Sequence, residues 1–182
     1  MKQVIKIADV IESKLIRDKR LMDSITRSII GNDNDDTYCF IGKYSRFFGR
    51  EADPFGYKIF GVRRRKLRPI DESAVNRIFK IQNLLFEGGY SPKAHEIIKH
   101  FDGSHDRFII KMERIKGEWV TPDRRSRWIR DFKRFCGRNA LWRERVSPAR
   151  EARKIGNSIL SNEDKKIYMV DIDEKWRQGD SI

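Results

Sequence analysis

The chain has 182 residues, enough to bury a core in one or two compact units. Its hydrophobic content of 38% is low for a globular domain, but eleven Phe and four Trp supply core bulk and argue against a disordered chain. A net charge of +13 favours polyanionic partners, whether nucleic acid, nucleotide phosphates or an acidic protein. The two cysteines, Cys39 and Cys136, have no CxxC spacing, so neither a zinc site nor a disulfide framework is expected. No run approaches the ~20 apolar residues that cross a bilayer, and the N-terminus lacks a leader-like apolar core. No membrane partner is expected, and the expected setting is cytoplasmic.

Residues 4–30 carry apolar positions at Ile7, Val10, Ile11, Leu15, Leu21, Ile25 and Ile29, a near-helical spacing that predicts one or two amphipathic helices. The polar stretch 31–36 reads as a loop, and it lacks the glycine and distal glutamate of a calcium loop. Strands are expected at Thr37–Ile41 and Gly56–Val62, with a turn and strand between them over 42–49. A basic run, 63–68, follows and ends at Pro69. Asp71–Glu87 reads as a helix capped by Asp71 and stopped by Gly88-Gly89, with Val75, Ile78, Phe79, Leu84 and Leu85 at helical spacing. Ala94–Ile98 and Arg107–Glu113 read as a β-pair.

From Thr121 the pattern changes. Pro122 is placed to open a helix whose stripe is Trp128, Ile129, Phe132, Phe135 and Cys136. A second helix is expected around Leu141-Trp142, and Ile167–Asp171 reads as a short strand. The fold class is therefore α+β with an antiparallel sheet. The expected division is an N-terminal helical extension (1–36), a sheet-plus-helix unit (37–118) and a mostly helical remainder (119–182).

Two blocks carry a resemblance. Leu84–Ala94 joins a helix to a strand through a glycine turn and a proline, and Met112-Glu113-Arg114-Ile115-Lys116-Gly117 follows. Asn157-Ser158-Ile159-Leu160 is then followed by Lys166-Ile167-Tyr168-Met169-Val170-Asp171-Ile172-Asp173. This order resembles the protein-kinase-like phosphotransferases, including bacterial and phage kinase-like proteins: a small lobe, a hinge, and a truncated large lobe ending in a metal-binding hairpin. The resemblance implies ATP and Mg²⁺ as cofactors. It implies Lys58 on phosphates, Glu72 pairing that lysine, the backbone of Glu113 and Ile115 on adenine, and Asn157 and Asp171 on the metal.

The chain departs from the family's pattern at several places: the loop over 42–49 has two glycines off the Gly-x-Gly-x-x-Gly spacing, Asp171-Ile172-Asp173 stands for Asp-Phe-Gly, and the catalytic motif shows the most serious departure. No His-Arg-Asp motif precedes Asn157; Ala152 stands where the catalytic aspartate is expected, and Glu151 is the only nearby carboxylate. The resemblance thus implies a weakly active or inactive, pseudokinase-like nucleotide binder.

A second reading comes from charge alone. Between Arg124 and Lys154 there are twelve cations, and Arg127, Arg130, Arg134 and Arg138 recur at helical spacing as a ridge beside the apolar stripe. That pattern fits an adaptor for nucleic acid or an acidic protein. His95, His100 and His105 lack helical metal-ligand spacing and read as surface or packing residues.

Overall fold

The structure is a computed structural model, and it describes residues 5–6, 37–41, 45–50, 53–60, 70–101, 106–120, 126–154 and 157–179. Most of the expected N-terminal helices, the 31–36 loop, the basic run 63–68, His105, Pro122, Arg124 and Arg125 lie outside them. The described part is mixed α and β with antiparallel sheets and few helices.

One compact unit comprises Lys2–Glu72 and His95–Arg114. Its six-stranded sheet runs β1(Ile5–Lys6), β2(Thr37–Ile41), β3(Ser45–Arg50), β4(Phe55–Phe60), β6(Asp106–Glu113) and β5(Ala94–Phe101) in spatial order. The first strand corrects the expectation of helix from residue 4, because Ile5 and Lys6 pair with Cys39 and Tyr38. Five residues of β4 are buried from Gly56 to Phe60, as is Arg107–Ile110 of β6. Both strands are central in the sheet, and burial along them does not alternate. On β5 and β6, Lys111 bonds Glu96 at 2.9 Å and lies 4.6 Å from the Phe55 ring centroid.

The other unit gathers Ser73–Ala94 and Ile115–Ile182. Helix α1(Glu72–Glu87) thus falls almost wholly with the C-terminal region, and the chain crosses between units at Arg114–Ile115. Its buried stripe is Ala74, Val75, Ile78, Ile81, Gln82 and Leu85. The helix ends in a Schellman arrangement: Tyr90 N donates to Leu85 O and Gly89 N to Phe86 O, both at 2.8 Å, with Gly89 at φ +76°. Gly88 has a different reason to be glycine. A Cβ there would lie 2.3 Å from the Phe135 ring.

The described residues from 115 to 179 are not mostly helical. Two helices, α2(Ser126–Arg138) and α3(Pro148–Ala152), accompany β7(Gly117–Trp119), β8(Leu141–Arg143), β9(Ser158–Ser161), β10(Ile167–Met169) and β11(Trp176–Gln178). The helix expected at Leu141-Trp142 is strand β8, because Ala140 at φ +48° breaks the preceding helix and residues 141–143 pair with 176–178. The α2 stripe does face inward, with Ile129, Phe132 and Cys136 buried. Trp128 stacks on Phe132 (5.1 Å, 3°), and Tyr90 meets Trp128, Phe132 and Phe135 edge-on or tilted. Trp128 is thus a member of the aromatic cluster. Burial pushes the Cys136 thiol up to about 12.

The three-stranded sheet β10-β9-β7 depends on Gly117. A Cβ at this position would lie 2.0 Å from Leu160 O. Gly137, on α2, has open space where its Cβ would be. Gly117→Ala should therefore destabilise the fold by about 1–3 kcal/mol, whereas Gly137→Ala should stabilise it by about 0.5–1 kcal/mol. Urea unfolding of the two variants checks the opposite signs.

Candidate functional site

The candidate metal-and-phosphate site is built on the β9–β10 hairpin. Its strands pair Ile167 with Leu160 and Met169 with Ser158. One step further, Val170 N donates to Asn157 O at 2.9 Å. Asn157 and Asp171 therefore sit at the same end of one hairpin, the arrangement expected from the sequence. Both are largely withdrawn from water, at 4% and 8% exposure.

The opposite end is a braced turn. Ser161 Oγ accepts from Glu163 N and Asp164 N, and Asp164 Oδ1 accepts from Lys166 N. Tyr168 Oη donates to Asp164 Oδ2 at 2.5 Å, and this bond is the main reason the Asp164 carboxyl is held below the usual carboxylate range.

Behind Asn157 lies a buried ion network that the sequence did not announce. Ser147 caps α3, its Oγ accepting from Arg150 N at 3.3 Å, and Pro148 occupies the first turn. The five-residue helix buries Ala149, Glu151 and Ala152. Asn157 Nδ2 donates to both Glu151 O (3.0 Å) and Glu151 Oε1 (3.1 Å). Glu151 Oε2 receives Lys154 Nζ and lies 3.3 Å from Arg143 Nη1. Arg143 turns its other edge to Asp173, with Nη2 to Oδ2 at 2.6 Å and Nε to Oδ1 at 3.3 Å. Lys175 N also donates to Asp173 Oδ1.

Two consequences follow. First, Arg143 does not belong to the basic face suggested by the cation count. It is 6% exposed and holds two carboxylates. Strand β8 carries it inward, and sequence spacing alone could not show that pairing with 176–178. Second, the two aspartates of Asp171-Ile172-Asp173 differ in environment. Asp173 is clamped by Arg143, and Asp171 lies two residues past the end of β10.

Ala152 is fully buried and its carbonyl accepts from Ser158 Oγ at 3.2 Å. The position where the resemblance expects a catalytic aspartate therefore holds a packed methyl group. Glu151 is 5% exposed with three donors converging on its carboxylate.

The remaining expected residues lie as follows. In its own unit, Lys58 is fully buried on β4, with Nζ 5.1 Å from the Phe60 ring centroid. Glu72 is exposed in the first turn of α1. Glu113 ends β6, and Ile115 lies in the three-residue passage to β7, preceded by an Arg114 N bond to Pro54 O at 2.8 Å. Arg127, Arg130, Arg134 and Arg138 are all exposed on α2. His95 lies 4.0 Å from Glu113 and edge-on to Phe55. Among the described residues, no group of three or more His, Cys, Asp or Glu could hold a metal by itself. No described helix is long and apolar enough to cross a membrane.

No family model and no curated protein matches the chain. Among solved structures, the Cydia pomonella granulovirus kinase PK-1 is similar at a TM-score of 0.45 and 11% identity, over 74% of this chain and 48% of that one. The Legionella pneumophila Lpg2603 kinase bound to IP6 is similar at a TM-score of 0.41 and 12% identity, over 81% of this chain and 62% of that one. The chain spans about half the length of the first and about six-tenths of the second.

Removing Arg143 would take the shared guanidinium from two buried carboxylates, leaving Glu151 with Lys154 and Asn157. Arg143→Ala should destabilise the fold by about 3–5 kcal/mol, and Arg143→Lys should recover only part of that, because an ammonium cannot replace the two-edged guanidinium. Chemical denaturation of both variants measures this. The turn gives a pH prediction. A depressed carboxyl stabilises the fold above its unfolded pKa, and that stability disappears as pH falls through the folded value. Hairpin amide protection should therefore drop at acid pH below the usual carboxylate range, and Tyr168→Phe should move that drop to higher pH.

Proposed function

We propose that this chain is a kinase-like, phosphotransferase-related nucleotide-binding protein with little or no transfer activity. The observation that carries the reading is the hairpin end bearing Asn157 and Asp171. An amide oxygen and a carboxylate are hard donors of the type Mg²⁺ takes, and Mg²⁺ commonly relies on one or two protein side chains while phosphate and water complete its shell. A pair of oxygen donors, with no larger acidic cluster among the described residues, suits a metal that arrives with a nucleotide. When bound, Mg²⁺ would neutralise phosphate charge. The residues of the chain would orient it: the two bonds from Asn157 Nδ2 to Glu151 direct the Asn157 oxygen away from Glu151.

The low activity follows from the missing base. A general base must bring an oxygen within hydrogen-bond reach of the hydroxyl it activates. Ala152 has no such oxygen, and Glu151 is buried beneath Arg143, Lys154 and Asn157. In this reading Glu151 is a positioning residue for Asn157. The roles implied for Lys58, Glu72, Glu113 and Ile115 belong to the same reading and stand or fall with it.

The experiment is thermal unfolding with ATP, with and without Mg²⁺. At about 100 times its dissociation constant a ligand stabilises by about 2.7 kcal/mol, a shift of several degrees for a chain of this size. The expected result is a Mg²⁺-dependent shift that Asp171→Asn abolishes and Lys58→Ala reduces. Unchanged melting at saturating Mg·ATP, in the folded wild-type protein, contradicts the proposal.

A further inference from the structure

We infer that the solvent face of α2 is a docking surface for the phosphate backbone of nucleic acid. On a helix with about 100° per residue, Arg130, Arg134, Arg127 and Arg138 fall within an arc of about 80°. That arc is opposite the buried stripe of Ile129, Phe132 and Cys136, and all four arginines are exposed. Lys133, also exposed, extends it on one side. From Arg127 to Arg138 the ridge is about 16 Å long at 1.5 Å rise per residue. Asp131 is the one acidic residue on α2, 3.6 Å from Arg134 in an exposed pair that does little to neutralise the face.

Gly137 is an independent observation. It lies within the cationic arc, on the side of Lys133, and is exposed. Its φ is not positive, and a Cβ there would meet nothing within 4 Å. Neither backbone conformation nor packing requires glycine at this position, although glycine weakens a helix. A missing side chain among arginines lets an extended polyanion approach the helix closely. Arginine's planar, two-donor fork can bond a phosphate through two parallel hydrogen bonds. Four arginines to one lysine, on a regular ridge, fit a repeating phosphate backbone, read without base specificity. This surface does not depend on the nucleotide reading, since it uses none of Asn157, Asp171 or Lys58.

The test is fluorescence anisotropy with a labelled 20-base-pair DNA duplex, its RNA counterpart and a labelled poly-glutamate chain, over a series of salt concentrations. Binding to at least one duplex is expected, with affinity falling as salt rises. The quadruple variant R127Q/R130Q/R134Q/R138Q should lower the log–log salt slope by roughly three to four, about one per lost phosphate contact. A variant of equal net charge, K80Q/K93Q/K165Q/K166Q, should keep the wild-type slope. Gly137→Leu should weaken duplex binding while melting no lower than wild type. The proposal is overturned if neither duplex binds, if the two quadruple variants lose equal affinity, if Gly137→Leu binds at wild-type strength, or if poly-glutamate binds as well as the duplexes.

Discussion

Arg143 lies almost out of water between Glu151 and Asp173, and the C-terminal unit is arranged around it. A buried guanidinium needs its charge balanced and its donors satisfied, and an unbalanced one would drive local unfolding. The chain meets that constraint with three separate segments. Strand β8 carries the arginine, helix α3 brings Glu151, and the passage after β10 supplies Asp173. Lys154 and Asn157 then occupy the remaining edges of Glu151, so the network also fixes where the β9–β10 hairpin begins.

The same interaction separates structure from chemistry within one short motif. Asp173 is committed to Arg143, and Glu151 is committed to holding Asn157. Asp171 lies two residues past the end of β10, next to Val170, whose N–H bonds Asn157 O. Under the proposed reading, a hairpin end bearing Asn157 and Asp171 beside a packed methyl group at Ala152 would hold a nucleotide rather than activate an acceptor. The basic surface of α2 is separate from this network and shares none of its residues.

Local pattern made much of this legible. The α1 periodicity ran to its glycine stop, the α2 stripe faced inward as its spacing required, and the Asn157–Asp171 hairpin was legible through the family resemblance. What stayed hidden depends on pairing between distant segments. Leu141-Trp142-Arg143 looks helical until residues 176–178 are set beside it, and Arg143 looks like one more surface cation until β8 turns it inward. Gly88 and Gly117 look like punctuation, yet Phe135 and the Leu160 carbonyl are what exclude a side chain at each. Glu151 drew attention as the only carboxylate near the expected catalytic position, and only its three donors show it as a brace.

The most direct measurement is Mn²⁺ binding followed by electron paramagnetic resonance, with Mn²⁺ standing for Mg²⁺, in the presence and absence of ATP. Asn157 and Asp171 by themselves should hold the ion weakly, and much more tightly once phosphate oxygens join. The account predicts ATP-dependent Mn²⁺ binding that Asp171→Asn removes and that Arg143-intact, folded protein is needed to show. Mn²⁺ binding that is indifferent to ATP, or that survives unchanged in folded Asp171→Asn, would contradict it.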